Sequence, residues 1–329
     1  MPRTLAVDVG GSKLAAAVVE LPEGGGEPVI THRRTVPTPA QDGGPAVLAA
    51  VSALAVQVLA DAGPGIDAGR DAAAGEQPVT AVGVASAGTV RPGDGTITHA
   101  TGTLPGWAGT PLGQHLRHRL GLPVTVLNDV HAHGVGEALH GAGRGHRTVL
   151  VVAVGTGVGG ALVIDGEPVV GTHGVAGHVG HLPVPEAAGM PCTCGREGHL
   201  EGFASGHGLR AAHLARTGHD LPAREVAALA ASGDDAARAL LAEAGRATGR
   251  AVGGLLNVLD PDVVVVGGGL AAAPEPWPTA LREGVALEAM DPVAATPVLL
   301  SGAGADAALV GAARVAQARA HDARVHRIP

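Results

Sequence analysis

The apolar positions of the chain fall into two stretches of matching design. Residues 4–20 read TLAVDVGGSKLAAAVVE and residues 148–164 read TVLVVAVGTGVGGALVI. In each, a β-rich apolar run meets a glycine turn and continues as a second β-rich run, the pattern of a strand–turn–strand hairpin. About half the chain separates them, far more than a solenoid period, so the spacing predicts a duplicated α/β lobe. VTAVGV at 79–84 and PVTVL at 123–127 read as buried strands, and Val263 to Val266 as a short all-valine strand. That strand runs into Gly267, Gly268 and Gly269. Helical spacing predicts an amphipathic helix over 111–120 and an Ala-rich one over 305–320. A longer helix is predicted over 235–256, where Leu240, Leu241, Ala244, Ala247, Ala251, Leu255 and Leu256 share a stripe and Asp234 is the candidate N-cap. The segment 61–77, rich in Gly, Ala and charge with no period, reads as a surface loop.

Composition narrows the function classes. A chain of 329 residues is long for one domain, and two lobes are the natural division. With 46% apolar residues but one Phe, two Trp and no Tyr, its cores must be built from Ala, Val and Leu. The same scarcity leaves no aromatic platform for stacking the bases of a single strand. The net charge of −8 and the absence of a Lys/Arg stripe argue against a nucleic-acid partner. Asp8 and Lys13 interrupt the first apolar stretch, so no secretory signal is expected. No run approaches the ~18 uninterrupted apolar residues of a membrane span. The expectation is a cytoplasmic protein without a membrane partner. Cys192 and Cys194 are one residue apart, a poor geometry for bridging each other, and such a pair in a cytosolic chain points to metal.

Four places carry candidate chemistry. At the first bend, Asp8, Gly10, Gly11, Ser12 and Lys13 combine a carboxylate, two glycines, a hydroxyl and an amine. Freed backbone N–H groups, Ser12 and Lys13 suit phosphate oxygens, and Asp8 suits a Mg²⁺ ion held through water. An ordinary tight hairpin reads the same way. The second bend, with Gly155, Thr156 and Gly157, offers similar chemistry without a charge, and neither bend fits a P-loop or a dinucleotide fingerprint. Two such bends in one chain favour a clamp on a polyphosphate. Asn128-Asp129 follows a strand, where α/β folds place ligands, and Asp129 suits a general base acting on a hydroxyl. An Asx turn capping the next helix is the other reading. Finally, His181, Cys192, Cys194 and His199 offer four N and S ligands with no open position, which suits a structural Zn²⁺. Set against this, the chain holds 17 histidines, most of which must be surface residues.

Taken together and in this order, these elements resemble the ROK family of bacterial sugar kinases and related repressors, over essentially the whole chain. The resemblance implies an α/β, actin-like ATPase and sugar-kinase fold of two duplicated lobes with a cleft between them. It implies a first lobe over 1–127, a second over 128–304, and a C-terminal helix over 305–329 returning to the first. By the family pattern D-x-G-G-T/S-K, the first bend is a phosphate motif and Gly155 to Gly160 a second one. Gly267 to Gly269 match the glycine run beside the adenosine. Asn128 is then a sugar contact and Asp129 the catalytic base. His181 lies beside the sugar as well as on the metal, and Glu201 contacts a sugar hydroxyl.

Two departures stand out. His199 replaces the last cysteine of the family's C-x-C-G-x-x-G-C-x-E, so that ligand is inferred rather than matched. His178 stands where glucose-phosphorylating members carry a glutamate. Members acting on N-acetylmannosamine show a similar A-G-H-x-G-H segment and a similar stretch around Gly88 and Thr89, which by that match lie beside the sugar. The resemblance thus implies transfer from Mg-ATP to the C6 hydroxyl of N-acetylmannosamine by a homodimer. Glucose or N-acetylglucosamine is the alternative substrate within the family. A repressor is the reading from another class, although Asp8 stands too early to leave room for a preceding DNA-binding helix-turn-helix.

Overall fold

A computed structural model describes residues 2–22, 26–63 and 77–325. Most of the loop expected over 61–77, residues 64–76, lies outside the described residues. The described strands are β1 Arg3–Val9, β2 Lys13–Glu20, β3 Val29–Pro37, β4 Val79–Ser86, β5 Thr89–Val90, β6 Ile97–His99 and β7 Val124–Asn128. They continue with β8 Thr148–Val154, β9 Val158–Ile164, β10 Glu167–Pro168, β11 Val263–Gly267 and β12 Val298–Leu300. Two five-stranded sheets result, in the orders β3-β2-β1-β4-β7 and β10-β9-β8-β11-β12. Each order lists a lobe's third, second, first, fourth and fifth principal strands, which is the duplication expected from the two hairpins. β5 and β6 form a separate pair.

The helices are α1 Gly44–Asp61, α2 Leu112–Leu120, α3 Asp129–His140, α4 Leu200–Ala204, α5 Gly206–Thr217, α6 Ala223–Ala231, α7 Asp235–Leu259, α8 Trp277–Glu288 and α9 Ala307–Val325. Asp234 caps α7 as expected, its side chain accepting from the N–H of Ala237 at 2.8 Å. By length and composition α1 is apolar enough to cross a membrane. It buries Val47, Val51, Leu54 and Val58 against the first sheet, as a core helix does.

The chain divides into two compact units, one of Met1–Gly145, Val163–Ala176 and Gly302–Pro329, the other of His146–Leu162 and Gly177–Ser301. The boundary expected at 128 therefore differs from the observed crossing after Gly145. The reason is packing: α3 lies against α9 so closely that a Cβ on Gly136 would come within 2.2 Å of the Ala307 carbonyl oxygen.

In the first unit, Leu5, Val7, Val9 and Leu14 of the hairpin meet α1, Trp107, Leu112 and Leu116 on one face of the sheet. Ala6, Ala17 and Val19 meet Leu309, Val310 and Ala313 of α9 on the other. In the second unit, Phe203, Leu240, Leu241, Trp277 and Leu281 share a core with Val152, Val264 and Val266. Gly245, Gly249 and Gly253, spaced by four, let α7 approach the backbone of α8 at Trp277, Leu281 and Val285. Close backbone approach substitutes here for the bulk of the missing aromatic side chains.

Candidate functional site

In the first unit, strand register assembles the acids. β1 and β4 are parallel with Asp8 beside Ala85, and β4 and β7 are parallel with Ser86 beside Asn128. Asp8, Ser86 and Asn128 therefore reach the carboxyl edge of one sheet together, where open α/β sheets place their ligands. Between β1 and β2, the turn of Gly10, Gly11 and Ser12 closes through Gly10 N–H to the Lys13 carbonyl at 3.1 Å. Thr38 braces it, donating its hydroxyl to the Gly10 carbonyl at 2.7 Å. Ser12 and Lys13 are exposed at its tip. Burial pushes the Asp8 carboxyl above its ordinary pKa, outweighing the opposing pull of Lys13 and Arg33.

Asn128 bears out the capping reading of its pair and also tethers the carboxylate of Asp129. It is the N-cap of α3, its Oδ1 accepting from Val130 N–H at 3.1 Å and His131 N–H at 3.3 Å. Its Nδ2 donates to the Gly88 carbonyl at 3.0 Å and to Asp129 Oδ1 at 2.9 Å. One amide thus ties the Gly88 loop to the carboxylate. Gly88 has φ of +94°, and a Cβ there would lie 2.5 Å from the His99 carbonyl oxygen, so the loop admits only glycine. Thr89 is buried beside it, pairing with His99.

Asp129 opens α3, and its Oδ1 also accepts from Val130 N–H at 2.9 Å. The side chain keeps some solvent contact, but protein crowds the carboxylate. This desolvation, with the nearby charge of Asp8, raises its pKa to about 6 against the pull of the Val130 and Asn128 hydrogen bonds. A carboxylate poised just below neutrality is ionised at pH 7 and retains proton affinity, as a general base requires. The acid limb of kcat/KM is accordingly expected near pH 6 rather than near 4; a flat profile from pH 5 to 8 would remove Asp129 as the titrating group.

His131, one helical turn after Asn128, was not singled out from sequence. Its ring is 1% exposed, and Nε2 donates to the Ala176 carbonyl at 2.6 Å. Burial pushes its pKa below the ordinary histidine value, keeping it neutral. It thereby holds the residue that leads into Gly177-His178. Only the i, i+3 spacing from the N-cap hinted at it.

In the second unit, the turn of Gly155, Thr156 and Gly157 closes through Gly155 N–H to the Gly157 carbonyl at 2.9 Å. Gly268, with φ of +87°, lies against it; a Cβ there would come 2.4 Å from the Val154 carbonyl oxygen. Gly267, Gly268 and Gly269 thus run directly beside the second bend. The opening N–H groups of α5, Gly206 and His207, donate to the Gly155 and Thr156 carbonyls at 2.8 and 3.4 Å. The 177–181 segment packs on β9 backbone to backbone, since a Cβ on Gly180 would lie 2.1 Å from the Val158 carbonyl oxygen. His178 stacks near His181, with ring centroids 6.2 Å apart.

His181, Cys192, Cys194 and His199 converge, one ligand atom from each lying within 4.8 Å of all the others. Cys192 Sγ lies 3.5 Å from His181 Nδ1, and Cys194 Sγ lies 3.3 Å from His199 Nδ1. A tetrahedral Zn²⁺ with ordinary Zn–S and Zn–N bonds sets these edges at about 3.6 Å, so the four side chains fit the ion. Glu201 follows on α4, with Oε2 accepting from Val158 N–H at 3.0 Å and Oε1 accepting from the Thr193 hydroxyl. Thr193 carried no sequence signal beyond its place between the cysteines.

The chain and its fold resemble known proteins. The ROK family profile matches residues 4–319. The chain is 34% identical to an N-acetylmannosamine kinase of Escherichia coli over 272 residues, 82% of this chain and 84% of that one. It is 33% identical to a glucokinase of Halalkalibacterium halodurans over 281 residues, 81% of this chain and 80% of that one. The crystal structure of a ROK hexokinase from Thermus thermophilus superposes with a TM-score of 0.83 and 31% identity, covering 97% of this chain and 99% of that one. The fold is the actin-like one of sugar kinases. The chain belongs to the ROK family and groups there with its sugar kinases.

Proposed function

We propose that the chain transfers the γ-phosphoryl group of ATP to the C6 hydroxyl of N-acetylmannosamine. The observation that carries the kinase reading is Asp129, a carboxylate with raised pKa held by Asn128 beside Asp8 and the Gly88 loop. In this reading Asp129 Oδ orients the sugar hydroxyl and takes its proton as the oxygen attacks phosphorus. Asn128, the Gly88-Thr89 loop, His178, His181 and Glu201 hold the ring. Gly10, Gly11, Ser12, Lys13, Gly155, Thr156 and Gly157 bind phosphate oxygens. Gly267 to Gly269 bind the adenosine side. Catalysis then comes from positioning and charge neutralisation. Asp8 is the side chain that would hold a Mg²⁺ ion through water, and that ion would supply the charge neutralisation. Zn²⁺ on His181, Cys192, Cys194 and His199 is structural. A cytoplasmic homodimer belongs to the same proposal.

The sugar rests on His178. An imidazole in place of a glutamate removes a charged acceptor for the C1 and C2 hydroxyls and adds bulk, which disfavours plain glucose. Relatives with both activities at about one-third identity make the substrate an open comparison. A coupled assay with N-acetylmannosamine, N-acetylglucosamine and glucose is expected to give a kcat/KM for the first at least about tenfold above the others, the net worth of one ordinary hydrogen bond. A preference for glucose would overturn the role given to His178.

A further inference from the structure

Thr193 lies between the two cysteines of the metal cluster, and its hydroxyl donates to Oε1 of Glu201. The other oxygen of that carboxylate accepts from the N–H of Val158, the residue that ends the 155–157 turn. Carboxylate and turn are in contact, since a Cβ on Gly157 would lie 2.7 Å from Glu201 Oε2. Glu201 therefore spans from the cysteine loop to the turn, with both oxygens bonded to protein. The backbone under Glu201 is fixed as well, because Leu200 N–H donates to the Leu182 carbonyl at 2.9 Å. What remains adjustable is the side-chain rotamer, and the Thr193 hydroxyl is the short bond that sets it, beside a long 4.0 Å contact from Cys192 Sγ to the same oxygen.

We propose that Thr193 is a positioning residue for nucleotide binding, acting through Glu201 on the Val158 N–H and so on the 155–157 turn. The proposal rests on the assignment of that turn to nucleotide phosphates. A carboxylate bonded at one oxygen pivots, whereas one bonded at both is held, and a held acceptor keeps the turn in a single conformation. The metal cluster enters only as the anchor of Thr193, since Cys192 and Cys194 flank it on either side. No group outside the second unit is needed.

The test compares the full-length wild type with Thr193→Val, which keeps the shape and removes the hydroxyl, and with Thr193→Ser, which restores it. ADP with Mg²⁺ is titrated calorimetrically, and metal content is measured on the same samples. The expected result is ADP binding about three- to tenfold weaker in Thr193→Val, less than the full loss of one hydrogen bond to a charged acceptor because Thr193 acts on the turn only through Glu201. Thr193→Ser is expected within about twofold of wild type, with metal content equal in all three. Thr193→Val binding ADP as tightly as wild type would overturn the proposal while leaving the phosphate assignment in place. So would a Thr193→Ser as weak as Thr193→Val, or a loss of metal from Thr193→Val. A wild type that binds no ADP would remove the phosphate assignment and this proposal with it.

Discussion

Asp129→Asn is expected to lower turnover by roughly 10²–10⁴-fold, the range that a positioned general base contributes. ATP affinity should stay within about twofold of wild type, because the substitution keeps the Oδ1 acceptor that Val130 and Asn128 use. The same variant should be more stable than wild type at neutral pH. Folding raises the pKa of Asp129 from 3.8 to about 6, so between these values the folded state holds a proton that the unfolded chain has released. Stability from this group is present below pH 4 and lost as pH rises through 6. At pH 7 the ionised carboxylate therefore costs up to about 3 kcal/mol, and the neutral amide escapes that cost. Thermal melts at pH 7 and pH 4 check the sign: the advantage of Asp129→Asn should be present at 7 and absent at 4. Loss of activity together with loss of stability at pH 7 would indicate a structural role instead.

The second large effect is expected from the metal cluster. Residues 182–199 are mostly irregular, held by two isolated β-bridges, Pro183 with His199 and Pro191 with Glu197, and by few buried apolar side chains. Such a loop lacks the core to order itself, and a tetrahedral ion joining His181, Cys192, Cys194 and His199 would supply what is missing. Chelation, or Cys192→Ala, is expected to lower the melting temperature by roughly 10 °C, the equivalent of a few kcal/mol in a domain of this size. Desolvation by burial pushes the Cys192 thiol above its ordinary pKa, so metal uptake displaces a tightly held proton and should weaken as pH falls. Elemental analysis should find one zinc per chain. Freshly purified protein without zinc, melting unchanged in chelator, would remove the cluster from the account.

Much of this was legible in the sequence where local rules act alone. The two hairpins were marked by glycine between β-rich runs, and both sheets grew on them. The Asp234 cap, the valine strand and the glycines after it lay where local punctuation put them. Asn128-Asp129 could be placed at a strand end, though its two readings could not be separated, and the structure shows that capping and tethering coexist in one amide. What stayed hidden depends on partners distant in the chain. Glu137 is fully buried and accepts from Ala142, Gly302 and Ala303 N–H groups at 3.1, 3.1 and 3.0 Å. It binds segments near where the chain leaves and re-enters the first unit, yet in sequence it is one acidic residue on a helix. His131 and Thr193 were missed for the same reason, since each acts through a backbone or carboxylate partner that no spacing rule reveals. The placement of α3 in the first unit likewise depended on glycine contacts between α3 and α9, Gly136 with Ala307 and Gly311 with Ala132, which lie far apart in the chain.

The most direct test of the central claim is product identification. Phosphorus NMR on N-acetylmannosamine incubated with Mg-ATP and the wild-type chain should show a single phosphomonoester on C6, one for each ADP formed, and at least about 100-fold less of it in the same time with Asp129→Asn. ADP accumulating without any sugar phosphate, or the same ester forming at an undiminished rate with Asp129→Asn, would contradict the account.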